Sequence, residues 1–223
     1  MNDPAPGPVL CFGEILWDFL PQGRFPGGAP INVAYHLGRL GLRALPVTAV
    51  GRDALGEELL GSLRELNLDT EFVSQVPDRP TGTVKVTLEA GAPPYEIARE
   101  AAWDWIEIPP ALLQLAPRAS ALVFGSLAQR GQHNRLGLEA LRDRCEAAMQ
   151  VFGVNLRAPY DSADRVRTLA GGADLIKLND EELARLLAQP SDSEPVEAAA
   201  RRFAEKTGCS RICVAAGARG AGL

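Results

Sequence analysis

The 223 residues contain no CxxC pair and only two histidines, His36 and His133. The four cysteines, Cys11, Cys145, Cys209 and Cys213, form no metal-ligand spacing with them. Buried free thiols in a reducing cytoplasm are the expected reading, and neither residue type points to a cofactor. Positive charge is not in excess. The chain has 23 Lys and Arg against 28 Asp and Glu, a formal net charge of −5, so no nucleic-acid partner is expected. No run of 18 uncharged apolar residues occurs, which predicts no membrane span. Met1-Asn2-Asp3-Pro4 places no basic region ahead of the first apolar stretch, so no signal peptide is expected. Phe12-Gly13-Glu14-Ile15 offers no G-x-G-x-x-G turn, which speaks against a nicotinamide-dependent Rossmann enzyme.

What is there is an ordinary globular composition. Hydrophobic residues make up 46% and charged residues 23%, enough for a sizeable core. At this length one domain spanning residues 1–223 is expected. Apolar runs at residues 9–13, 45–50, 121–124, 151–155, 173–178 and 211–215 read as strands. Residues 30–40 read as a helix ended by Gly41, with Ala34 and Gly38 on one closely packed face. Leu55, Leu59, Leu63 and Leu66 mark an amphipathic helix. Another helix is predicted from after Phe124 to about Met149, and another begins near Asp180. Strands separated by helices imply an α/β chain with a parallel sheet covered on both faces.

One region breaks the alternation. Thr83-Val84-Lys85-Val86-Thr87-Leu88-Glu89 alternates apolar and polar residues with period two. A turn at Gly91-Ala92-Pro93-Pro94 then leads into Tyr95-Glu96-Ile97-Ala98-Arg99, the pattern of a hairpin with one wet face. Residues 16–19 read as an extended piece that joins it. The reading is a small β lid drawn from about residues 16–25 and 81–100. A surface hairpin with no lid role has the same signature.

The most informative stretch is Pro26-Gly27-Gly28-Ala29-Pro30-Ile31-Asn32-Val33-Ala34. Two glycines let the backbone turn sharply and let a ligand touch it. Pro30 suits a first helical turn, where no amide hydrogen is needed. Asn32 sits in that turn beside free amides that favour polar ligands. This arrangement can hold the hydroxyls of a small polar molecule, although a plain turn-then-helix shares the same grammar.

In open α/β sheets ligands bind beyond the carboxyl ends of the strands. That rule selects Asp18 after the first strand, Gly27, Gly28 and Asn32 at the first helix, and Asn155 and Arg157 after residues 151–154. It also selects Lys177, Asn179 and Glu182, and then Gly217 and Gly220 after Val214. Each has a structural alternative. Asp18 can be a turn residue, Arg157 an exposed arginine before Pro159, and the two late glycines simple turns. Asn179 or Asp180 can be a helix N-cap, with Glu182 as the first-turn carboxylate.

Together these residues resemble the PfkB family of carbohydrate kinases, with their ribokinase-like fold. Gly13-Glu14-Ile15-Leu16-Trp17-Asp18 and the stretch from Pro26 to Ala34 are most similar to the fructokinase branch. Gly51-Arg52-Asp53-Ala54-Leu55-Gly56 matches a further signature, and Pro80-Thr81-Gly82-Thr83 falls where the family enters its lid. Asn155-Leu156-Arg157 resembles an Asp-x-Asn-x-Arg segment, Asn179-Asp180-Glu181-Glu182 an Asn-x-x-Glu motif, and Gly217-Ala218-Arg219-Gly220 a Gly-x-x-Gly turn. The resemblance covers almost the whole chain.

It implies a three-layer αβα fold with a mostly parallel sheet and a small β lid. It also implies ATP-dependent phosphorylation of a sugar, fructose to fructose 6-phosphate being favoured, with 2-keto-3-deoxygluconate and ribose as alternative substrates. Asp18, Gly27, Gly28 and Asn32 would bind the sugar hydroxyls, and Arg157 would approach the transferred phosphate. Asn179, Gly217 and Gly220 would bind the nucleotide, and Glu182 would reach Mg²⁺ indirectly, through water. The lid would exclude water, its side chains such as Tyr95, Glu96 and Arg99 would select the sugar, and a homodimer could form through it.

The resemblance also defines departures. In the family a Gly-Ala-Gly-Asp segment at a helix start holds developing charge and supplies the base. Residues 1–223 contain no such segment. Gly220-Ala221-Gly222-Leu223 matches three letters but brings no aspartate, and that match reads as accidental. Gly153 replaces the aspartate of Asp-x-Asn-x-Arg, and Ala215 stands where a threonine often faces the nucleotide. The expectation is a truncated or frame-shifted copy with little activity and no identified base. The other reading is a non-catalytic sugar- or partner-binding protein derived from a sugar kinase.

Overall fold

The computed structural model describes residues 6–86, 95–190 and 193–223. The predicted turn at Gly91-Ala92-Pro93-Pro94, the strand end at Thr87-Leu88-Glu89 and the reading of Met1-Asn2-Asp3-Pro4 lie outside the described residues. Two compact units are present, Met1–Leu122 with Ala128–Ala148, and Val123–Leu127 with Met149–Leu223.

The first unit begins with β1 (Val9–Phe12), β2 (Leu16–Leu20), β3 (Gly23–Gly27), α1 (Ala29–Arg39), β4 (Ala44–Gly51), α2 (Ala54–Glu65) and β5 (Val73–Val76). Next come β6 (Thr83–Val86), β7 (Tyr95–Ile97), α3 (Pro110–Leu115), the start of β8 (Ala121–Gly125) and α4 (Gln132–Arg144). β4 pairs in parallel with β1 on one side and β5 on the other. All eight residues of β4 are buried, as expected for a strand with both neighbours in place. Pro46 is tolerated inside it because β5 joins only from Thr48 onward.

Helix α2 is amphipathic as predicted. Leu59 and Leu63 are fully buried, each contributing roughly 1.5–3 kcal/mol. Leu66, however, lies beyond the helix end and is exposed, and Leu60 takes its place in the core. The predicted packing face of α1 holds at Ala34, which is buried, but not at Gly38. That glycine is exposed, and a Cβ there would meet nothing within 4 Å. The helix predicted to run to Met149 ends at Arg144, and Met149 opens the next strand. β5 and the short helices of this unit are absent from the sequence reading, and β3 carries the lid segment expected at about residues 16–25 on to Gly27.

A second sheet in this unit has the order β3-β2-β6-β7. The extended piece at residues 16–19 does join the hairpin, as β2 pairs in parallel with β6. β6 and β7 are antiparallel. Register places Asp18 beside Phe25 and Val84, and Val84 beside Ile97. These four therefore share one face. Glu96 pairs with Lys85 beside Phe19 and so lies on the opposite face from Asp18.

The second unit contains β9 (Met149–Gly153), α5 (Ala163–Ala170), β10 (Leu175–Asn179), α6 (Asp180–Leu186), α7 (Val196–Thr207), β11 (Ile212–Ala215) and β12 (Ala221–Gly222). β9, β10 and β11 are parallel neighbours, and β12 runs antiparallel to β11. Phe124 stacks on Phe152 at 5.5 Å, a pairing worth about 0.5–1.5 kcal/mol beyond its burial. Gly208 closes α7 in the left-handed region, φ 72°, where glycine alone is free of strain.

Three of the four cysteines are buried, and Cys213 is half-exposed. Burial pushes the Cys11 thiol up to about 12 and the Cys145 thiol to about 11, so both are held as unreactive thiols at neutral pH. In the native chain at pH 8, iodoacetamide is expected to modify Cys213 first. Cys11 and Cys145 should react only after unfolding. Mass spectrometry of the labelled peptides checks this, and prompt native labelling of Cys11 would contradict it.

Candidate active site

In the first unit the glycine turn is built by its contacts. Gly28 has φ 116°, and a Cβ on it would stand 2.2 Å from the Glu14 carbonyl oxygen. No other residue fits that approach. Gly27 ends β3, and a Cβ there would stand 2.1 Å from Asp18 Oδ2. The Asp18 carboxylate thus lies directly over the turn. α1 then starts at Ala29, with Pro30 in its first turn. The buried Glu14 carboxylate accepts the Ala29 amide at 3.1 Å, satisfying one orphan donor of the helix and complementing its dipole. Asn32 donates its own amide to the Gly28 carbonyl at 3.0 Å and remains exposed. Asp18, Gly27, Gly28 and Asn32 therefore cluster around one turn. Glu14 belongs to the same construction, and its signal, a carboxylate fifteen residues before the helix, was not readable from spacing.

The small sheet is fastened where the chain enters and leaves it. Before β6, the Thr81 hydroxyl donates to Asp53 Oδ1 at 2.6 Å, and the Thr81 amide donates to Oδ2 at 2.8 Å. Asp53 also caps α2 by accepting the Gly56 amide at 2.8 Å, while the Gly51 amide donates to Thr81 Oγ1 at 3.0 Å. After β7, Arg130 donates to the Ala98 carbonyl at 2.7 Å. The same guanidinium holds Asp104 through two bonds of 2.7 and 2.6 Å and lies 4.0 Å over Trp103. Arg130 carried no sequence signal, since its partners are 26 and 32 residues away.

In the second unit Asn179 and Ala215 are register neighbours at the ends of β10 and β11. Asn179 is the N-cap of α6, its Oδ1 accepting the Glu182 amide at 2.7 Å. Glu182 returns the contact by accepting the Asn179 amide at 2.9 Å, which completes a capping box. Its other oxygen accepts the Leu156 amide at 2.7 Å. The capping alternative read from sequence is therefore real, and it uses the carboxylate more fully than a cap requires. Asn155 turns the chain at φ 42°, and Ser126 donates to the Val154 carbonyl at 2.5 Å. Arg157 follows, half-buried, and donates to the Leu156 carbonyl at 3.2 Å.

Gly217 and Gly220 are exposed, with φ 56° and 95° and open space where a Cβ would stand. Arg219 between them pairs with Asp180 at the start of α6. Arg157, Asn179, Glu182 and the Gly217–Gly220 turn are thus linked in one group. Lys177 is exposed within β10. Ala221 and Gly222 form β12 and do not open a helix, so they present no row of helix-start amides. A groove of about 630 Å³ lies between α7 and β11–β12, lined by Val196, Ala200, Ile212, Ala216, Arg219 and Gly220 among others. Its volume falls in the range of small-molecule sites.

Among the described residues no group of three His, Cys, Asp or Glu side chains is placed to hold a metal ion. Both oxygens of Glu182 already accept backbone amides.

The folding pattern and the motif order agree with a wider comparison. The sequence profile of the pfkB family carbohydrate kinases matches residues 22–223, and the chain belongs to that family. A fructokinase of Rhizobium leguminosarum bv. trifolii is 31% identical over 191 residues, covering 78% of this chain and 58% of the relative. A probable fructokinase-2 of Arabidopsis thaliana is 30% identical over 203 residues, covering 82% of this chain and 62% of the relative. The chain thus spans about three fifths of the length of these relatives. Among solved structures, a double mutant of the Vibrio cholerae O395 fructokinase in a fructose-, ADP- and potassium-bound form gives a TM-score of 0.82 at 25% identity. That match covers 99% of this chain and 73% of the other. The α/β architecture is accordingly the ribokinase-like fold expected from sequence, with a mostly parallel sheet and a smaller one.

Proposed function

We propose that this chain serves ATP-dependent phosphorylation of a sugar, with fructose to fructose 6-phosphate as the favoured reaction. The observation that carries the reading is the Asp18 carboxylate poised over Gly27. It stands beside a helix start that exposes Asn32. A carboxylate accepts hydrogen bonds from sugar hydroxyls, an amide both donates and accepts, and the two glycines let a polyol lie against the backbone. Phe25, Val84 and Ile97 on the same face of the small sheet suit the C–H surface of a sugar and make that sheet the lid. The fructose-bound relative supports fructose over ribose or 2-keto-3-deoxygluconate.

Arg157 then serves the transferred phosphate, and Asn179 offers its side-chain N–H groups to the nucleotide. Gly217 and Gly220 let the adenine nucleotide approach the backbone, with the groove beside β11 and β12 receiving part of it. Mg²⁺ enters on the phosphates of the nucleotide rather than in a cage of protein carboxylates. The exposed Phe19, on the face of the small sheet opposite Asp18, favours a homodimer through the lid.

A second reading is favoured by one observation. Residues 220–223 form β12 and its end rather than an aspartate-bearing helix start, so residues 1–223 contain no assigned base. A 223-residue chain that binds sugar without turnover fits that observation. Calorimetric titration of fructose, ribose and 2-keto-3-deoxygluconate, run beside a coupled ATP assay on the same chain, separates the readings. The expected result is fructose binding, abolished by Asp18→Ala, with turnover far below the 1–100 s⁻¹ usual for kinases. Turnover in that range would show that a base is present after all. Failure to bind any of the three sugars, with or without nucleotide, would overturn the sugar site.

A further inference from the structure

We infer that Glu182 is a positioning residue for Arg157, its carboxylate committed to two backbone amides from separate segments and not to a cation. The inference rests on the nucleotide-side reading of Arg157. Glu182 is buried, yet its two oxygens accept the amides of Leu156 at 2.7 Å and Asn179 at 2.9 Å. A capping box needs only the second of these. The first reaches 26 residues back along the chain, into the turn that follows β9.

The same turn is also held by the Val154 amide, which donates to the Lys177 carbonyl at 2.9 Å, and by the Tyr160 amide, which donates to the Arg157 carbonyl at 2.7 Å. Asn155 turns the chain through the left-handed region at φ 42°, a conformation that asparagine tolerates better than other residues with side chains. The next amide, Leu156, is the one Glu182 captures, and the next residue is Arg157. Ser126 braces the same turn from below through the Val154 carbonyl. The Arg157 guanidinium is thereby launched from a backbone fixed on both sides. Charge-assisted bonds to backbone amides are the strong class, and a buried carboxylate with both oxygens so engaged needs no ion for its own stability.

The test uses the ¹⁵N-labelled 223-residue chain. In Glu182→Gln one oxygen becomes an NH₂ that faces an amide donor, and exchange of the Leu156 or Asn179 amide hydrogen should rise tenfold or more. ATP affinity should fall by the same factor in Mg²⁺ and in EDTA. Arg157→Ala should weaken ATP to a similar extent, and the double variant should be no weaker than Arg157→Ala alone, as coupled residues require. A loss confined to Mg²⁺ buffer, or unchanged exchange at both amides, would overturn the inference. If Glu182→Gln does not fold, the wild-type chain is titrated with Mg²⁺ alone. The Leu156 and Asn179 resonances should then stay in place, and their displacement would count against the clamp. If the wild-type chain binds no ATP, the nucleotide reading fails separately, and the exchange rates alone decide whether the clamp exists.

Discussion

Gly28→Ala is expected to cost the first unit about 3–5 kcal/mol, while its neighbour Gly27→Ala costs far less and yet removes sugar binding. The two substitutions add the same methyl group one residue apart. At Gly28 the new Cβ would lie 2.2 Å from the Glu14 carbonyl oxygen and 3.2 Å from Ile15 Cα. Both belong to backbone and cannot rotate away. The φ of 116° adds strain for any L side chain. Relief requires moving the segment around Glu14, whose carboxylate also holds the first amide of α1. At Gly27 the obstacle is Asp18 Oδ2 at 2.1 Å, the tip of a side chain rather than backbone, and Gly27 lies within β3 without a left-handed φ. Asp18 can swing aside at a cost of about 1–2 kcal/mol, but it then leaves the position from which it would grip hydroxyls. Denaturant unfolding and fructose titration of both variants give the comparison. A Gly28→Ala chain as stable as wild type would refute the backbone geometry, and a Gly27→Ala chain with intact fructose affinity would remove Asp18 from the site.

Asp53→Asn is expected to cost roughly 1–3 kcal/mol at pH 7, and the deficit should shrink in acid. Asp53 caps α2 and receives both the amide and the hydroxyl of Thr81. Asparagine keeps Oδ1 as the cap of α2, but its NH₂ replaces the Oδ2 that accepts the Thr81 amide, and a partly buried donor left unpaired costs about 1–3 kcal/mol. Burial raises the Asp53 carboxyl, but the bonds from the Thr81 hydroxyl, the Thr81 amide and the Gly56 amide outweigh it. The net position lies below the ordinary 3.8. A carboxyl lowered on folding contributes stability that is present above its unfolded value and is lost as pH falls through the folded one. The difference between wild type and Asp53→Asn should therefore be full at pH 7 and begin to close only below about pH 3.8. Urea midpoints at several pH values measure it. A deficit that persists unchanged at the acid end would mean that shape, not charge, carries the contact. Because Thr81 lies two residues before the start of β6, the same variant should also loosen the small sheet, read as faster amide exchange in β6.

Several parts of the architecture were legible in the sequence because they depend on local chemistry. The apolar runs that became β1, β4 and β8 are buried almost throughout, which a continuous hydrophobic run declares, while those that became β9, β10 and β11 bury alternate residues. Period-two alternation exposed β6, and the leucine spacing of α2 declared its buried side. The helix start at Asn179 follows a capping rule that acts within three residues. The errors have physical reasons too. Gly38 was placed on a packed face because helical spacing does not say which side meets the core. α4 was drawn too long because the apolar residues after Arg144 belong to the approach to β9. β3 leaves little mark in the sequence beyond the lid segment expected at about residues 16–25, because a glycine- and proline-rich strand lacks propensity and is set by its partner β2.

The candidate site divides in the same way. Residue order alone announced the family, the glycine turn, Asp18, and the Asn-x-x-Glu pair, since these are short motifs whose spacing carries their geometry. Folding alone decided that Glu14 would hold the start of α1, that Thr81 would meet Asp53, that Arg130 would fasten the exit of the small sheet, and that Glu182 would reach back to Leu156. These contacts join positions 15 to 32 residues apart. A hydrogen bond is directional and short, so whether two such groups meet depends on the path of the whole chain between them, and that path is written in no local pattern.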